Sequence, residues 1–395
     1  VAIGIVVRED YLRKLSGYKD QTGLVKVITG MRRCGKSTLM RQYRERLLEG
    51  GIDEDRVVYI DMSSKANGHL RGEDSFYDHL ISRASDSRTY FLLDEIQNVT
   101  GWERVVVSLL VDVDADIYIT GSNAYMLSTE LSTYLTGRSV PISMLPLSFG
   151  EFMELNGLSD EGAAFDEYLS IGSMPIVRSD MPKDDALEIV SATRSDIMVK
   201  DIARRKKLTD VSALERVIDY LFSEIGNQIS GNSISKQMNI DNKTAESYLQ
   251  VIRESLMFYQ VKRFDLKGKM VLTTPSKYYC TDLGMRNASI GEYTRDLGRS
   301  VENLVFLELV RRGYRVHAGK LGDTEIDFVA DKGGRREYYQ VSLTVLDKDV
   351  EKRETGSLRE MNDGNKRTIL TMDRAGLGAY GGIERVNVID WLLGR

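Results

Sequence analysis

Residues 24–38 read LVKVITGMRRCGKST, and the rest of the chain is placed from them. Leu24–Thr29 is a mostly apolar, β-prone run, and Gly30-Met31-Arg32-Arg33-Cys34-Gly35-Lys36-Ser37 satisfies GxxxxGK[ST] between that strand and a helical pattern, the setting this phosphate-binding motif requires. Glycines let the backbone wrap around phosphate oxygens, and the first turn of the helix offers unpaired N–H groups to anions. Lys36 then reaches the terminal phosphates and Ser37 ligates magnesium, while Thr38 lies one residue into the helix. Gly30, Arg33, Cys34, Gly35, Lys36, Ser37 and Thr38 are therefore the expected binding set for ATP with Mg2+. Cys34 fills a variable position of the motif, with no redox role read into it.

The chemistry continues at the ends of later strands. TYFLLD at 89–94 is an apolar strand that runs into Asp94-Glu95. Asp94 is expected to hold the metal and Glu95 to orient and deprotonate a lytic water. Carboxylates at a buried strand end need a cation or donors. DIYIT at 116–120 leads into Gly121-Ser122-Asn123, where Asn123 is the first choice to position that water and Ser122 the alternative. Leu135-Thr136-Gly137-Arg138 precedes the strand SVPISM. Arg138 there is either a finger directed at a neighbouring subunit's nucleotide or a surface arginine.

Outward from this core, RVVYID at 56–61 supplies another strand, and the alternation of strands with helical segments implies a parallel sheet covered on both faces. In STLMRQYRERLLEGG, Leu39, Met40, Tyr43 and Leu47 share one helical face. The pattern turns mainly helical after Pro146. From 221 the order is helix, helix (DNKTAESYLQVIRESL) and a hairpin, YQVKRFD with MVLTTP around Gly268, which is the order of a winged helix. Beyond it VENLVFLELVRRG reads as an amphipathic helix before strands YRVHAG, EIDFVA and EYYQVSL. The expected organisation is α/β: an AAA+ core over 1–145, a helical lid or linker over 146–220, a winged helix over 221–285 and an α/β module over 286–395. A chain of 395 residues is long for one core.

Composition narrows the class. Hydrophobic residues are 42% and charged residues 29%, ordinary for a folded protein, and no apolar run approaches the roughly 18 residues of a membrane span. The N-terminus VAIGIVVRED has no secretory pattern, so a soluble, cytoplasmic protein is expected, with no membrane partner. Two distant cysteines and three histidines give no disulfide framework and no metal-ligand spacing. A net charge of −5 leaves only local basic patches for nucleic acid.

GMRRCGKST, LLDEIQ, ITGSNA, LTGR and PLSFGEF, together with SIGSMP and KYYCTDLGMRN, resemble a large prokaryotic family of AAA-type ATPases with a C-terminal domain of unknown function. The resemblance implies a P-loop NTPase followed by a winged helix and a fold similar to the PD-(D/E)xK nucleases. Glu302, Asp327 and the strand YYQVS fall in the order of such a nuclease, whose active site needs carboxylates for magnesium and a lysine beside the water. Here the last motif is Gln340-Val341-Ser342, so the acid and the lysine are both replaced, and Glu302 and Asp327 could equally be surface acids.

Three functions follow: an ATP-hydrolysing switch acting on DNA or a protein, an ATP-stabilised binding module, or an ATP-gated nuclease, against which Gln340 and Ser342 count. Duplex DNA would be met by Lys243, Gln250 and Arg253 of the second winged-helix helix and by Lys262, Arg263, Lys267 and Lys269 of the wing, with Glu246 and Glu254 diluting the charge. A homo-oligomer is expected if Arg138 is a finger.

Overall fold

The computed structural model describes residues 4–122, 135, 137–203, 210–291 and 297–395. The chain divides into two compact units, Val1–Pro146 with Glu254–Leu256, and Leu147–Arg253 with Met257–Arg395. In the first, strands β1 (Val25–Thr29), β2 (Val57–Asp61), β3 (Thr89–Asp94), β4 (Ala115–Gly121) and β5 (Ser139–Ser143) form a parallel sheet in the order β2-β3-β4-β1-β5. Helices α1 (Glu9–Gly17), α2 (Lys36–Glu49), α3 (Glu73–Arg83) and α4 (Trp102–Asp112) cover it. Successive strand residues point to opposite faces, and the two cores show it. Val25, Val27, Phe91, Leu93, Ile117 and Ile119 pack with Phe76, Leu80, Val105 and Leu109 of α3 and α4. Ile28, Tyr90, Leu92 and Tyr118 pack with Leu12 and Leu15 of α1 and with Leu39, Met40, Tyr43 and Leu47 of α2. Burial on both faces is why these strands read as continuous apolar runs rather than alternating ones. The fold is an α/β P-loop core.

The second unit opens with helices Phe149–Asn156, Glu161–Ile171, Lys183–Asp196 and Val211–Ser223. PLSFGEF starts the first of them with a capping box: Ser148 Oγ accepts from Glu151 N–H at 3.2 Å and Glu151 Oε2 accepts from Ser148 N–H at 2.8 Å. Helices Gly231–Met238 and Asn242–Glu254 follow, with a small antiparallel sheet in the order β6 (Gln228–Ile229), β10 (Ser276–Cys280), β7 (Phe258–Val261). An eight-stranded mixed sheet completes the unit, in the order β15 (Gly378–Tyr380), β16 (Ile383–Asn387), β14 (Lys366–Thr371), β13 (Arg335–Ser342), β12 (Thr324–Lys332), β11 (Arg315–Leu321), β8 (Arg263–Asp265), β9 (Met270–Val271).

Two expectations change. The single strand read over YQVKRFD is split between sheets: β7 pairs with β10, whereas β8 leaves to pair in parallel with β11, carrying β9 as its hairpin partner. The ladder bonds of an edge are generic, so an alternating sequence does not fix which sheet a strand joins. The helix read as amphipathic from Val301 begins at Leu297, and Leu304–Leu309 are buried without interruption, because elements of its own unit enclose it nearly all round.

SIGSMP and KYYCTDLGMRN meet at one buried carboxylate. Asp282 Oδ2 accepts from Ser173 N–H at 2.6 Å and from Ser173 Oγ at 2.9 Å, while Oδ1 accepts from Met285 N–H at 3.0 Å. Gly172, at φ +84°, leaves the room: a Cβ there would lie 2.6 Å from Asp282 Oδ1.

Candidate functional site

The loop between β1 and α2 is shaped by two unusual backbone positions. Arg33 has φ 64° and Gly35 φ 108°, left-handed values that turn the chain into α2. Gly30 allows no substitute, since a Cβ would strike Met144 O and lie 2.8 Å from Cys34 Sγ. Lys36 is only 4% exposed and its Nζ donates to Gly30 O at 3.0 Å and Met31 O at 3.2 Å, so the ammonium sits inside the loop it follows. Ser37 and Thr38 are half-buried on the first turn of α2, Arg33 is exposed, and Cys34 is buried, with its thiol pushed up by that burial. Behind the loop, Arg8 Nη1 donates to Cys34 O at 3.2 Å and Nη2 to Leu145 O at 3.0 Å. Sequence reading offers no signal for this clamp, since arginine before a helix is common on surfaces.

Parallel pairing brings the end of β3 beside the loop. Glu95 Oε1 lies 3.7 Å from Lys36 Nζ. Glu95 itself has φ 53° and ψ 45°, a conformation costing about 1–2 kcal/mol outside glycine, and its N–H donates to Thr120 Oγ1 at 2.8 Å. The Thr120 hydroxyl in turn donates to Asp94 Oδ1, and Tyr59 OH donates to Asp94 Oδ2 at 3.0 Å. Burial pushes the Asp94 carboxyl above the usual carboxylate range, opposed by hydrogen bonds from Ser37, Thr120 and Tyr59. Thr120 and Tyr59 were not among the expected site residues; a threonine ending ITGS and a tyrosine inside an apolar strand read as ordinary sheet residues.

Asn123 lies outside the described residues. Ser122 is 1% exposed, and its Oγ, like Thr29 Oγ1, is enclosed without a hydrogen-bond partner among the described residues. Arg138 is exposed, and its carbonyl accepts from Val25 N–H at 2.8 Å, which places it at the start of β1 whereas Lys36 follows its end. The length of a five-residue strand, about 16 Å, therefore separates Arg138 from its own chain's loop.

These groups fit a nucleoside triphosphate with magnesium. The cradle excludes a Cβ, an enclosed lysine is met by two carbonyls and Glu95, and Ser37 with Asp94 makes a set of hard oxygen donors. The enclosed Thr29 and Ser122 hydroxyls, without partners among the described residues, suit a polar ligand, since buried polar groups are normally satisfied.

The C-terminal carboxylates are arranged differently. Glu302 Oε1 accepts from Tyr279 OH at 2.5 Å and from Lys277 Nζ at 3.2 Å, and Glu325 Oε2 is 3.9 Å from the same ammonium. Burial opposes the Lys277 charge, but Glu302, Asp327 and Glu325 together hold it above the ordinary lysine value. Asp327 is pushed up by burial and then by Glu302. Its Oδ2 accepts from Val341 N–H at 2.9 Å. Gln340, standing where an acid was expected, links Asp327 N–H (3.2 Å) to Glu354 Oε2 (2.8 Å). Ser342 Oγ donates to Thr344 O. Among the described residues no three acidic, histidine or cysteine side chains are grouped to hold a metal, and no helix is long and apolar enough to cross a membrane.

Residues 22–153 match the family model of an AAA domain, and residues 162–296 match that of a domain of unknown function. An uncharacterized Haemophilus influenzae protein is 36% identical over 401 aligned residues, 98% of this chain and 99% of that protein. An uncharacterized Methanocaldococcus jannaschii protein is 26% identical over 353 residues, 83% of this chain and 76% of its own length. Among solved structures, AMPPCP-bound DnaA from Aquifex aeolicus is 13% identical with a TM-score of 0.32, covering 63% of this chain and 89% of that one.

Proposed function

The chain belongs to the same family as its Haemophilus influenzae relative and carries an AAA domain over residues 22–153, and from that premise we propose that it hydrolyses ATP with magnesium and uses the cycle to act on DNA or a protein. The observation that carries this is the convergence of Lys36, Asp94 and Glu95, which come from two separate strand ends onto one loop. In this reading the 30–36 loop and Thr38 bind the phosphates, and Lys36 leaves the Gly30 and Met31 carbonyls for the terminal phosphate oxygens. Ser37 and Asp94 hold the magnesium ion, which neutralises phosphate charge. Glu95, fixed by its left-handed backbone and by Thr120, takes the proton of the attacking water. Asn123 or Ser122 positions that water. Arg138, too far from its own loop, serves a neighbouring copy in a homo-oligomer.

Glu95→Gln tests the assignment: it should bind ATP as the parent does but release no ADP, because the amide keeps the shape and lacks the base. Normal turnover by this variant would remove Glu95 from the chemistry.

In the second unit, helices Val211–Ser223, Gly231–Met238 and Asn242–Glu254 with the sheet β6-β10-β7 support the winged-helix reading, and the larger sheet with helix Leu297–Arg311 supports the nuclease-like one. Cleavage is not part of the proposal. Lys277 already neutralises Glu302, and Gln340 replaces an acid. On helix Asn242–Glu254, Lys243 is exposed beside Asp241 and Glu246, and Arg253 is engaged by Gln260.

A further inference from the structure

Helix Lys348–Arg359 covers only part of one face of the eight-stranded sheet, where its Leu358 packs with Val329, Tyr338 and Ile369. Along the strands from that packing, the same face carries His317 opposite Val329, Arg315 opposite Asp331, and Asp331 opposite Arg336, since every second residue returns to one side. Phe264 of β8 joins them, its ring centre 5.9 Å from that of His317. The Arg336 guanidinium is held in place over this ground. Its Nε and Nη2 donate to the two Asp331 oxygens at 2.8 Å each, and it lies 4.4 Å from the Phe264 ring centre. The side chain stays 28% exposed.

Lys262 and Arg315 are exposed, and burial pushes the His317 imidazole down, aided by Arg315, Arg336 and Lys262 against the opposing Asp331 carboxylate. His317 is 6% exposed and its Nδ1 lacks a hydrogen-bond partner among the described residues, so the polar groups of this patch are not fully satisfied within the fold. A guanidinium fixed by a bidentate carboxylate and an aromatic ring has already lost its rotamer freedom, so stacking on it costs little further ordering. Exposed cations on β11 and just before β8, to one side of it, suit phosphates. Unstacked bases offer planes to the first feature and phosphodiesters to the second. A duplex keeps its bases stacked, and an acidic peptide offers carboxylates without planes.

We propose that this face of the C-terminal sheet binds single-stranded nucleic acid, a base stacking on Arg336 and phosphates meeting Lys262 and Arg315. The inference deepens the reading of the chain as an ATP-driven protein that acts on nucleic acid, and rests on it. Binding of a fluorescent single-stranded DNA oligonucleotide to the full chain is measured by anisotropy across a salt series, beside duplex DNA and poly-glutamate. The parent should prefer the single strand. Lys262→Gln with Arg315→Gln should weaken it and flatten the plot of log affinity against log salt by about 1.4, at about 0.7 for each phosphate no longer neutralised. Arg336→Lys keeps the charge but loses the plane, and should weaken binding about tenfold. Melting temperatures within about 4 °C of the parent establish that the variants are folded. ATP turnover without nucleic acid is read on the same proteins: its absence in the parent would fail the ATPase reading, and its persistence in all variants separates the two questions. The proposal is overturned if the parent does not bind the single strand, if duplex or poly-glutamate binds as tightly, or if folded variants bind as the parent does.

Discussion

Thr120→Val is the most searching test of the nucleotide site, because valine keeps the shape of threonine and removes only its hydroxyl. That hydroxyl donates to Asp94 Oδ1 and accepts from Glu95 N–H at 2.8 Å, and Thr120 is fully buried, so water does not replace it. Each buried polar group left without a partner costs about 1–3 kcal/mol. Two are left, but Asp94 keeps its bond from Tyr59, which brings the expected loss to about 2–4 kcal/mol. At about 2–4 °C per kcal/mol for a domain of this size, melting should fall by roughly 5–15 °C. Catalysis should fall further than binding. Glu95 is held at φ 53° partly by the bond that is removed, and relaxing that backbone strain of about 1–2 kcal/mol moves the carboxylate off its position. With a factor of ten per 1.4 kcal/mol, ADP release at saturating ATP and magnesium should drop about 5–30-fold. Lys36 and the loop are untouched, so affinity for a fluorescent ATP analogue should hold, and Thr120→Ser should restore both stability and rate. A Thr120→Val protein that melts and turns over like the parent would refute the argument that Thr120 fixes the two acids.

Three further outcomes are expected. Arg138→Ala should bind ATP normally but hydrolyse it about 10³–10⁵-fold more slowly, and mixing it with Glu95→Gln should recover turnover at interfaces pairing an intact Arg138 with an intact Glu95; no recovery together with a concentration-independent parental rate removes the finger. Asp94 has a folded pKa raised by burial from 3.8, so without ligand the folded state keeps its proton longer than the unfolded one, and stability should fall as pH rises from about 3.8 through the raised value. Asp94→Asn should flatten that part of the stability curve, seen by denaturant unfolding, while losing magnesium-dependent ATP binding. Lys277→Met leaves Glu302 and Glu325 without their shared cation, and removal of one partner from a buried pair costs about 3–5 kcal/mol; the denaturation midpoint should drop accordingly, and an unchanged midpoint would show the pair contributes nothing.

What the sequence discloses and what it hides follow from how far apart the cooperating residues lie. The loop from Gly30 to Ser37 is legible because chain continuity alone brings its groups together: strand, turn and helix start are neighbours, and two positions bear left-handed backbone that a glycine-bracketed turn anticipates. Asp94 and Glu95 are legible for the related reason that a parallel sheet carries every strand's end to the same side. Thr120 reaches Asp94 across 26 positions and Tyr59 across 35, and neither residue type is rare in a strand, so only the lateral order of β2, β3 and β4 turns them into site residues. The same limit acts in the second unit. Gln340 reads as a missing acid, yet it links Asp327 to Glu354, and Lys277, from a different sheet, supplies the cation that no residue of the YYQVS strand provides. KYYCTDLGMRN and SIGSMP look as distinctive as the phosphate loop, but their central acid is saturated by Ser173, Gly284 and Met285. A saturated carboxylate has no free lone pair to offer a substrate, whereas the enclosed Ser122 and Thr29 hydroxyls have no partner among the described residues. Distinctive spacing therefore marks places where backbone must approach closely, and only the residual hydrogen-bonding capacity left there separates a junction from a site.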